Sequence, residues 1–315
     1  MRDRVALFLT FLIAFTYIVY LKQDIIWQYL KELYIHFTHK PTVSVLIPSY
    51  NMGHTLPNAI NSIINQTYTD WEIVIIDDGS IDKTQKILRK YRLNPKIRII
   101  KNHKNLGLIA SLNKGLKLSR GKYIARLDAD DISFPDRIER QVMLMEAKNL
   151  DISGAWCQIG DYFNTSLKDN TNSVTIGLAF LKRCVYCHST VMLRKDFLTH
   201  NNLQYNSNYQ NAEDYQLWMT IFLEGGKFGF LGGKPLSKYN ASTHSTHWFA
   251  LQRHNTMVTK QNVLSTIIPN YNDKLLYIPF PKLFDYIFEG NKQTKILDQK
   301  ELLKCKQEKC YLWEF

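Results

Sequence analysis

The sequence predicts an α/β fold, a Rossmann-like and mostly parallel sheet flanked by helices, and two observations carry that prediction. Four short apolar runs, at 43–47, 72–76, 97–100 and 123–127, alternate with stretches of helical spacing. Such a pattern belongs to a sheet buried on both faces. Each run also ends in a polar loop: Ser49 and Tyr50, Asp77 and Asp78, Asn105 to Gly107, and Asp128 to Asp130. Ligands of open parallel sheets sit outside the carboxyl ends of the strands, so four polar loops on one rim predict a polar ligand. No Gly-x-Gly-x-x-Gly turn follows the first strand, which argues against a dinucleotide-binding dehydrogenase.

Taken in order, the strand at 43–47 leads to a helix over 56–66, and the strand at 72–76 follows. Asp82 and Thr84 stand where the next helix is capped, and Ile87, Leu88 and Tyr91 form its apolar side. After the strand at 97–100, Asn105, Leu106 and Gly107 open a helix running to Leu118. Gly121 separates that helix from the strand at 123–127. The second half is less regular. It reads as a helix over 138–147, a strand within 152–159, a loop over 164–173 and a strand over 189–194. Glu213 and Asp214 open a helix with Leu217, Trp218, Ile221 and Phe222 on its apolar side, and 225–233 reads as a turn with a short strand. Beyond about residue 249 the chain reads as a Lys- and aromatic-rich extension to residue 315. Its aromatic segment, 275–288, suits either core packing or a lipid-linked ligand.

Ahead of the globular domain, 5–21 is an uncharged apolar run, at the short end for a membrane span. Lys22, Gln23 and Asp24 follow it in place of a small-x-small cleavage site. We therefore expect residues 1–22 to be an uncleaved, single-pass membrane anchor. Residues 23–41 would form an amphipathic juxtamembrane stalk, closed by Pro41. Arg2 and Arg4 precede the run and Lys22 and Lys31 follow it, so charge bias leaves the side of the membrane undetermined.

The formal net charge is +12, but the Lys and Arg residues are scattered, with no basic run of five. That distribution makes a diffuse field suited to anionic small molecules or a membrane surface, and no nucleic acid is expected. Five cysteines are too few for a disulfide scaffold, and Cys184 and Cys187 lack a second pair for a zinc site. They read as free buried thiols, with one or two disulfides the alternative if the domain is lumenal.

The densest chemistry lies at Asp128, Asp130 and Asp131. Clustered carboxylates repel, and burying one unpaired costs several kcal/mol, so the cluster asks for a cation. Hard oxygen ligands suit Mg²⁺ or Mn²⁺, which favour a phosphate-bearing substrate. A solvated acidic turn capping the helix after Pro135 is the alternative reading.

Further pieces accumulate along the chain: Val45 to Asn51, Gln66 and Thr67 ahead of Trp71, Asp77 to Ser80 with Asp82 and Thr84, and Asn105 to Gly107. Asn113 to Gly115, Gly121 to Asp131, His188 to Val191 and Ala212 to Trp218 complete the series. With these residues the chain resembles the family 2 glycosyltransferases over 42–247. The resemblance implies the GT-A fold, a catalytic domain over 42–248 and a nucleotide-diphosphate sugar as donor, UDP-sugar first. It also implies a glycan, glycoprotein or lipid-linked acceptor and inversion at the anomeric carbon. Pro48, Ser49, Tyr50, Asp77, Asp78, Asn105 and Gly107 would cradle the nucleoside. Asp128 and Asp130 would hold the divalent ion on the diphosphate, and Asp131 would support the loop or meet the donor sugar. Asp214 would be the catalytic base, Glu213 its neighbour on the acceptor, and His188 a group on the acceptor side. Similar sequences end the domain with Tyr-Arg-x-His. Here Asn240 follows Tyr239, and Ser242 takes the His place, so His244 is the candidate third metal ligand. A nucleotidyltransferase on a similar fold and a catalytically silent glycan- or nucleotide-binding protein are the rival readings.

Overall fold

The computed structural model describes residues 20, 23, 40–160, 169–182, 184–240, 246–269, 271–272, 274–275, 280–295, 297 and 299–307. The chain divides into a unit of residues 1–40 and a unit of residues 41–315. The expected anchor run and most of the juxtamembrane stalk lie outside the described residues, as does His244. Among the described residues no helix is long and apolar enough to cross a membrane.

Strands β1 (Val43–Ser49), β2 (Trp71–Asp77), β3 (Ile97–Lys101) and β4 (Tyr123–Arg126) form one half of a seven-stranded sheet. Strands β8 (Met192–Arg194), β6 (Ile152–Ala155) and β9 (Phe228–Leu231) form the other, in the order β3-β2-β1-β4-β8-β6-β9. The pairs β1/β2, β2/β3, β1/β4 and β6/β9 are parallel, whereas β8 runs against both β4 and β6. The chain steps outward from β1 to β3 and then returns to the far side of β1 as β4. This reversal opens a crevice at the carboxyl ends of β1 and β4. A small sheet of β5 (Ile132–Ser133), β10 (Ser237–Tyr239) and β7 (Cys157–Ile159) stands beside it.

Alternation along the strands divides the core. Val43, Val45, Ile47, Ile73, Ile75 and Ala125 join one apolar cluster with helices α1 (Leu56–Ile64) and α4 (Arg137–Ala147); α2 (Thr84–Leu88) adds Leu88. Leu46, Val74, Ile76 and Ile124 join the other, as successive side chains of a strand must. Helices α3 (Leu108–Leu118), α5 (Ser173–Lys182) and α7 (Glu213–Leu223) cover that second face; α6 (Lys195–His200) adds Leu198. Gly115 lets α3 lie close on β1, since a Cβ there would run into Leu46.

Three findings revise the expectations. The single strand expected within 152–159 is broken at Trp156. Its first part belongs to the large sheet and its second to the small one. The stretch after 249, read only as a Lys- and aromatic-rich extension, holds most of α8 (Thr246–Ile267) and all of α9 (Phe280–Thr294) and α10 (Gln299–Gln307). Val263, Leu264 and Ile267 enter the second core cluster, as do Leu275, Leu283, Phe284, Ile287 and Phe288 of the aromatic segment, whereas Tyr286 is exposed. Finally, Cys305 is disulfide-bonded rather than a free thiol, whereas Cys157, Cys184 and Cys187 are free.

Behind the strands' amino ends, buried Glu72 ties β1, β2, β3 and the loop before β4 together. It accepts bonds from Ser44 Oγ (2.7 Å), the Arg120 N–H (2.8 Å) and Arg120 Nε (2.8 Å), with Arg98 Nη1 at 3.3 Å. Burial disfavours its charge, but these donors outweigh burial and hold its carboxyl below the usual range.

Candidate active site

The loop after β1 is stitched to the loop after β2. Asn51, in the left-handed region at φ 55°, donates its N–H to Ser80 Oγ (2.9 Å) and accepts the Ile81 N–H (2.9 Å). Asp82 accepts N–H bonds from Gly53 (3.0 Å) and Thr84 (2.9 Å). This stitching fixes Pro48, Ser49 and Tyr50 at the crevice rim.

Asp77 and Asp78 divide two tasks between them. Asp77 is buried and accepts the Ser80 N–H at 3.0 Å. Asp78 faces the crevice and also organises the loop after β3. Its oxygens accept Asn102 Nδ2 (2.7 Å), the Leu106 N–H (2.9 Å) and the Gly107 N–H (2.9 Å). Gly107 sits at φ 92°, a backbone state only glycine takes readily, and this places its N–H on Asp78.

At the end of β4, Arg126 Nη2 donates to Asp128 Oδ1 at 2.5 Å, and Ser189 Oγ donates to Asp128 Oδ2 at 3.0 Å while accepting the Asp128 N–H. Burial works against both charges, but their mutual attraction prevails. Asp128 is held below the usual carboxylate range and Arg126 above the usual guanidinium range. Arg137, also buried, donates to the Arg126 carbonyl at 2.7 Å, and burial pushes its pKa down to about 9. Asp131 is buried, accepts the Asn240 N–H at 2.8 Å, and is pushed up to about 7 by burial and then by Asp128.

Helix α7 presents its first turn to the same crevice. Glu213 is raised to about 7 by burial and then by Asp214. Asp214 is raised to about 6: burial dominates, the Tyr215 N–H (2.6 Å) opposes it, and the negative charge of Asp128 adds to it. His188 Nε2 lies 3.0 Å from Tyr205 Oη, with the edge of Trp218 beside both rings. Burial, and then the charge of Arg126, lower His188 to about 3, so it is neutral at physiological pH.

Several of these groups meet at one cleft of about 640 Å³. It collects Pro48, Ser49, Tyr50, Asp78, Asn105, Gly107, Asp128, Asp130, His188, Glu213 and Asp214. Asp77 and Asp131 are not among its lining residues; they brace its loops. Among the described residues no group of three or more His, Cys, Asp and Glu side chains is arranged to hold a metal ion. The two carboxylates at the cleft, Asp128 and Asp130, still fit Mg²⁺ or Mn²⁺, which commonly takes one or two protein carboxylates and completes its shell with phosphates and water. Sequence reasoning missed Arg126, Tyr205, Trp156 and Gln252. Arg126 carried a signal, because a charged residue two positions before Asp128 in an extended run points to the same side. Tyr205 carried none, standing in an Asn-rich loop.

Comparison with known proteins agrees with this geometry. Glycosyl transferase family 2 matches residues 44–218. An uncharacterized glycosyltransferase of Haemophilus influenzae is 32% identical over 252 residues, covering 75% of this chain and 76% of its own. The Escherichia coli UDP-Glc:alpha-D-GlcNAc-diphosphoundecaprenol beta-1,3-glucosyltransferase WfgD is 27% identical over 259 residues, covering 80% and 94%. Among solved structures, the mannosyltransferase PcManGT of Pyrobaculum calidifontis, in complex with GDP-Man and Mn²⁺, is alike in fold. Its TM-score is 0.58 at 15% identity, over 88% of this chain and 77% of that one. The parallel sheet, the crevice at its switch point and the matched motifs place this chain in glycosyl transferase family 2, with a GT-A fold.

Proposed function

We infer that the protein transfers a hexosyl or N-acetylhexosaminyl group from a nucleotide-diphosphate sugar to an acceptor hydroxyl with inversion. The observation that carries this reading is convergence. Asp128 and Asp130 from the end of β4 and Asp214 from the start of α7 meet in one cleft. Pro48, Ser49, Tyr50, Asp78, Asn105 and Gly107 wall its nucleoside end. Asp214, raised toward neutrality, has the basicity to take a proton from an acceptor hydroxyl at physiological pH. The acceptor oxygen then bonds to the anomeric carbon as the bond from that carbon to the diphosphate oxygen breaks on the opposite face. Neutral His188 stands on the same wall, a hydrogen-bonding group that adds no charge.

Asp128 and Asp130 would hold a divalent ion, Mn²⁺ or Mg²⁺, with His244 as the candidate third ligand. When bound, that ion supplies positive charge against the negative charge developing on the departing diphosphate. A UDP-sugar donor and a lipid-linked acceptor are supported by the substrates named for the E. coli relative. Attachment to a membrane through residues 1–22 is supported by the uncharged 5–21 run. Incubating the full chain with a panel of nucleotide sugars, with Mn²⁺ or with chelator, tests the reading. Release of nucleoside diphosphate with one sugar is the expected result; release of pyrophosphate from a parallel incubation with nucleoside triphosphate and sugar 1-phosphate would favour a nucleotidyltransferase.

A further inference from the structure

A second cavity, of about 800 Å³, adjoins the cleft, within the roughly 300–1,000 Å³ typical of pockets for small ligands. Gly107, Leu108, Asn211 and Glu213 line both, so the first turn of α7 is the partition. Asp214 lines only the cleft, Glu213 lines both, and Gln216 and Thr220, on the same side of the helix as Glu213, line only the second cavity. We propose that this cavity is an acceptor subsite for a neutral, hydroxyl-rich saccharide, holding sugar units beyond the one attacked at Asp214. The proposal rests on the glycosyltransferase reading.

Three features select that ligand class. First, although the chain carries 40 Lys and Arg residues, none of those among the described residues lines this cavity, nor does any described His. A phosphate or carboxylate there would have no cation to meet and would face Glu213. Second, the walls are amides and hydroxyls. Asn113 is fixed by a two-way bond to the Tyr205 backbone (2.8 and 2.9 Å), and Gln216 Nε2 donates to Thr220 Oγ1 (2.8 Å). Gln216 Oε1 is buried with no hydrogen-bond partner among the described residues, and the side chains of Gln204 and Gln210 make no hydrogen bonds there either. An amide offers both donor and acceptor, as each sugar hydroxyl requires. Third, Leu106 and Leu108, 51% and 44% exposed, supply aliphatic surface for the C–H face of a pyranose.

The test is a glycan array carrying neutral, sialylated and phosphorylated oligosaccharides, probed with the full chain, followed by calorimetry of the tightest neutral binder. The expected result is binding of neutral glycans, weakened tenfold or more both in Gln216→Leu and in the double variant Gln204→Ala/Gln210→Ala. The double variant changes exposed side chains outside the fold's core, so it keeps the test valid should Gln216→Leu fold poorly. Affinity for UDP-glucose or UDP-GlcNAc, whichever binds the unaltered chain, should change less than twofold. Failure to bind neutral glycans, a preference for charged ones, or unchanged affinity in the double variant would overturn the subsite. Failure of every UDP-sugar to bind the unaltered chain would instead count against the transferase reading itself.

Discussion

The buried guanidinium of Arg126 holds the carboxylate of Asp128 at 2.5 Å, although the two stand only two residues apart at the end of a strand. Asp128 is therefore committed to a protein partner on one oxygen before any ligand arrives, and Ser189 bonds the other. Replacing Arg126 by Met should destabilise the fold by about 2–3 kcal/mol. Removing one partner of a buried pair costs about 3–5 kcal/mol, and Asp128, 30% exposed, keeps some water. Adding Asp128→Asn should return part of that loss, measured by urea denaturation of both variants.

Asp214→Asn should lower kcat by about 10²–10⁴-fold, the usual worth of a positioned base, while donor affinity measured by calorimetry stays the same. Full activity in this variant would remove Asp214 from the mechanism.

The pH profile should follow Asp214. Its pKa of about 6 predicts that log kcat/KM rises with unit slope up to about pH 6 and then levels. His188, held near 3, should contribute no step close to the ordinary imidazole value.

Asp130→Ala should weaken donor binding at least tenfold when Mn²⁺ is present and little in chelator, read by calorimetry in both buffers. Equal affinities with Mn²⁺ would show that Asp130 takes no part in a metal-dependent donor site.

Stability should oppose activity at this site. A carboxyl whose folded pKa is raised binds its proton more readily when folded, so stability grows as pH falls through the folded value. It is complete below the unfolded value, about 4. Asp131, Glu213 and Asp214 act in this sense between about pH 7 and 4. Glu72, with its pKa lowered, acts in the opposite sense, and its contribution is lost as pH falls through its depressed folded value. Thermal melts should therefore peak in mild acid. Asp214→Asn should be more stable than the parent at pH 8, on the order of 1–2 kcal/mol.

Much of this was legible because strand ends and ligand loops share one rule. Asp78, Asn105, Gly107, Asp128, Asp130 and Asp214 meet where parallel strands end or a helix begins, and periodicity locates both. What stayed hidden depends on contacts distant in sequence. The break at Trp156 follows from pairing with β10, which lies some 80 residues onward. Helix α8 buries Val263, Leu264 and Ile267 near its C-terminal end while Arg253 and His254 stay exposed, so no single apolar stripe marks its length. The shared wall between the cleft and the second cavity joins Gly107 and Leu108 to Asn211 and Glu213, which stand some 100 residues onward.

Asp78 carries a consequence for how the donor is met. Its carboxylate binds three donors from the loop after β3, so that loop is ordered when the chain folds and not when the nucleotide arrives. Binding then spares the entropy of immobilising it. Asn102, which touches both Asp78 and Lys114 Nζ (2.6 Å), becomes a control point for donor affinity although it does not line the cleft.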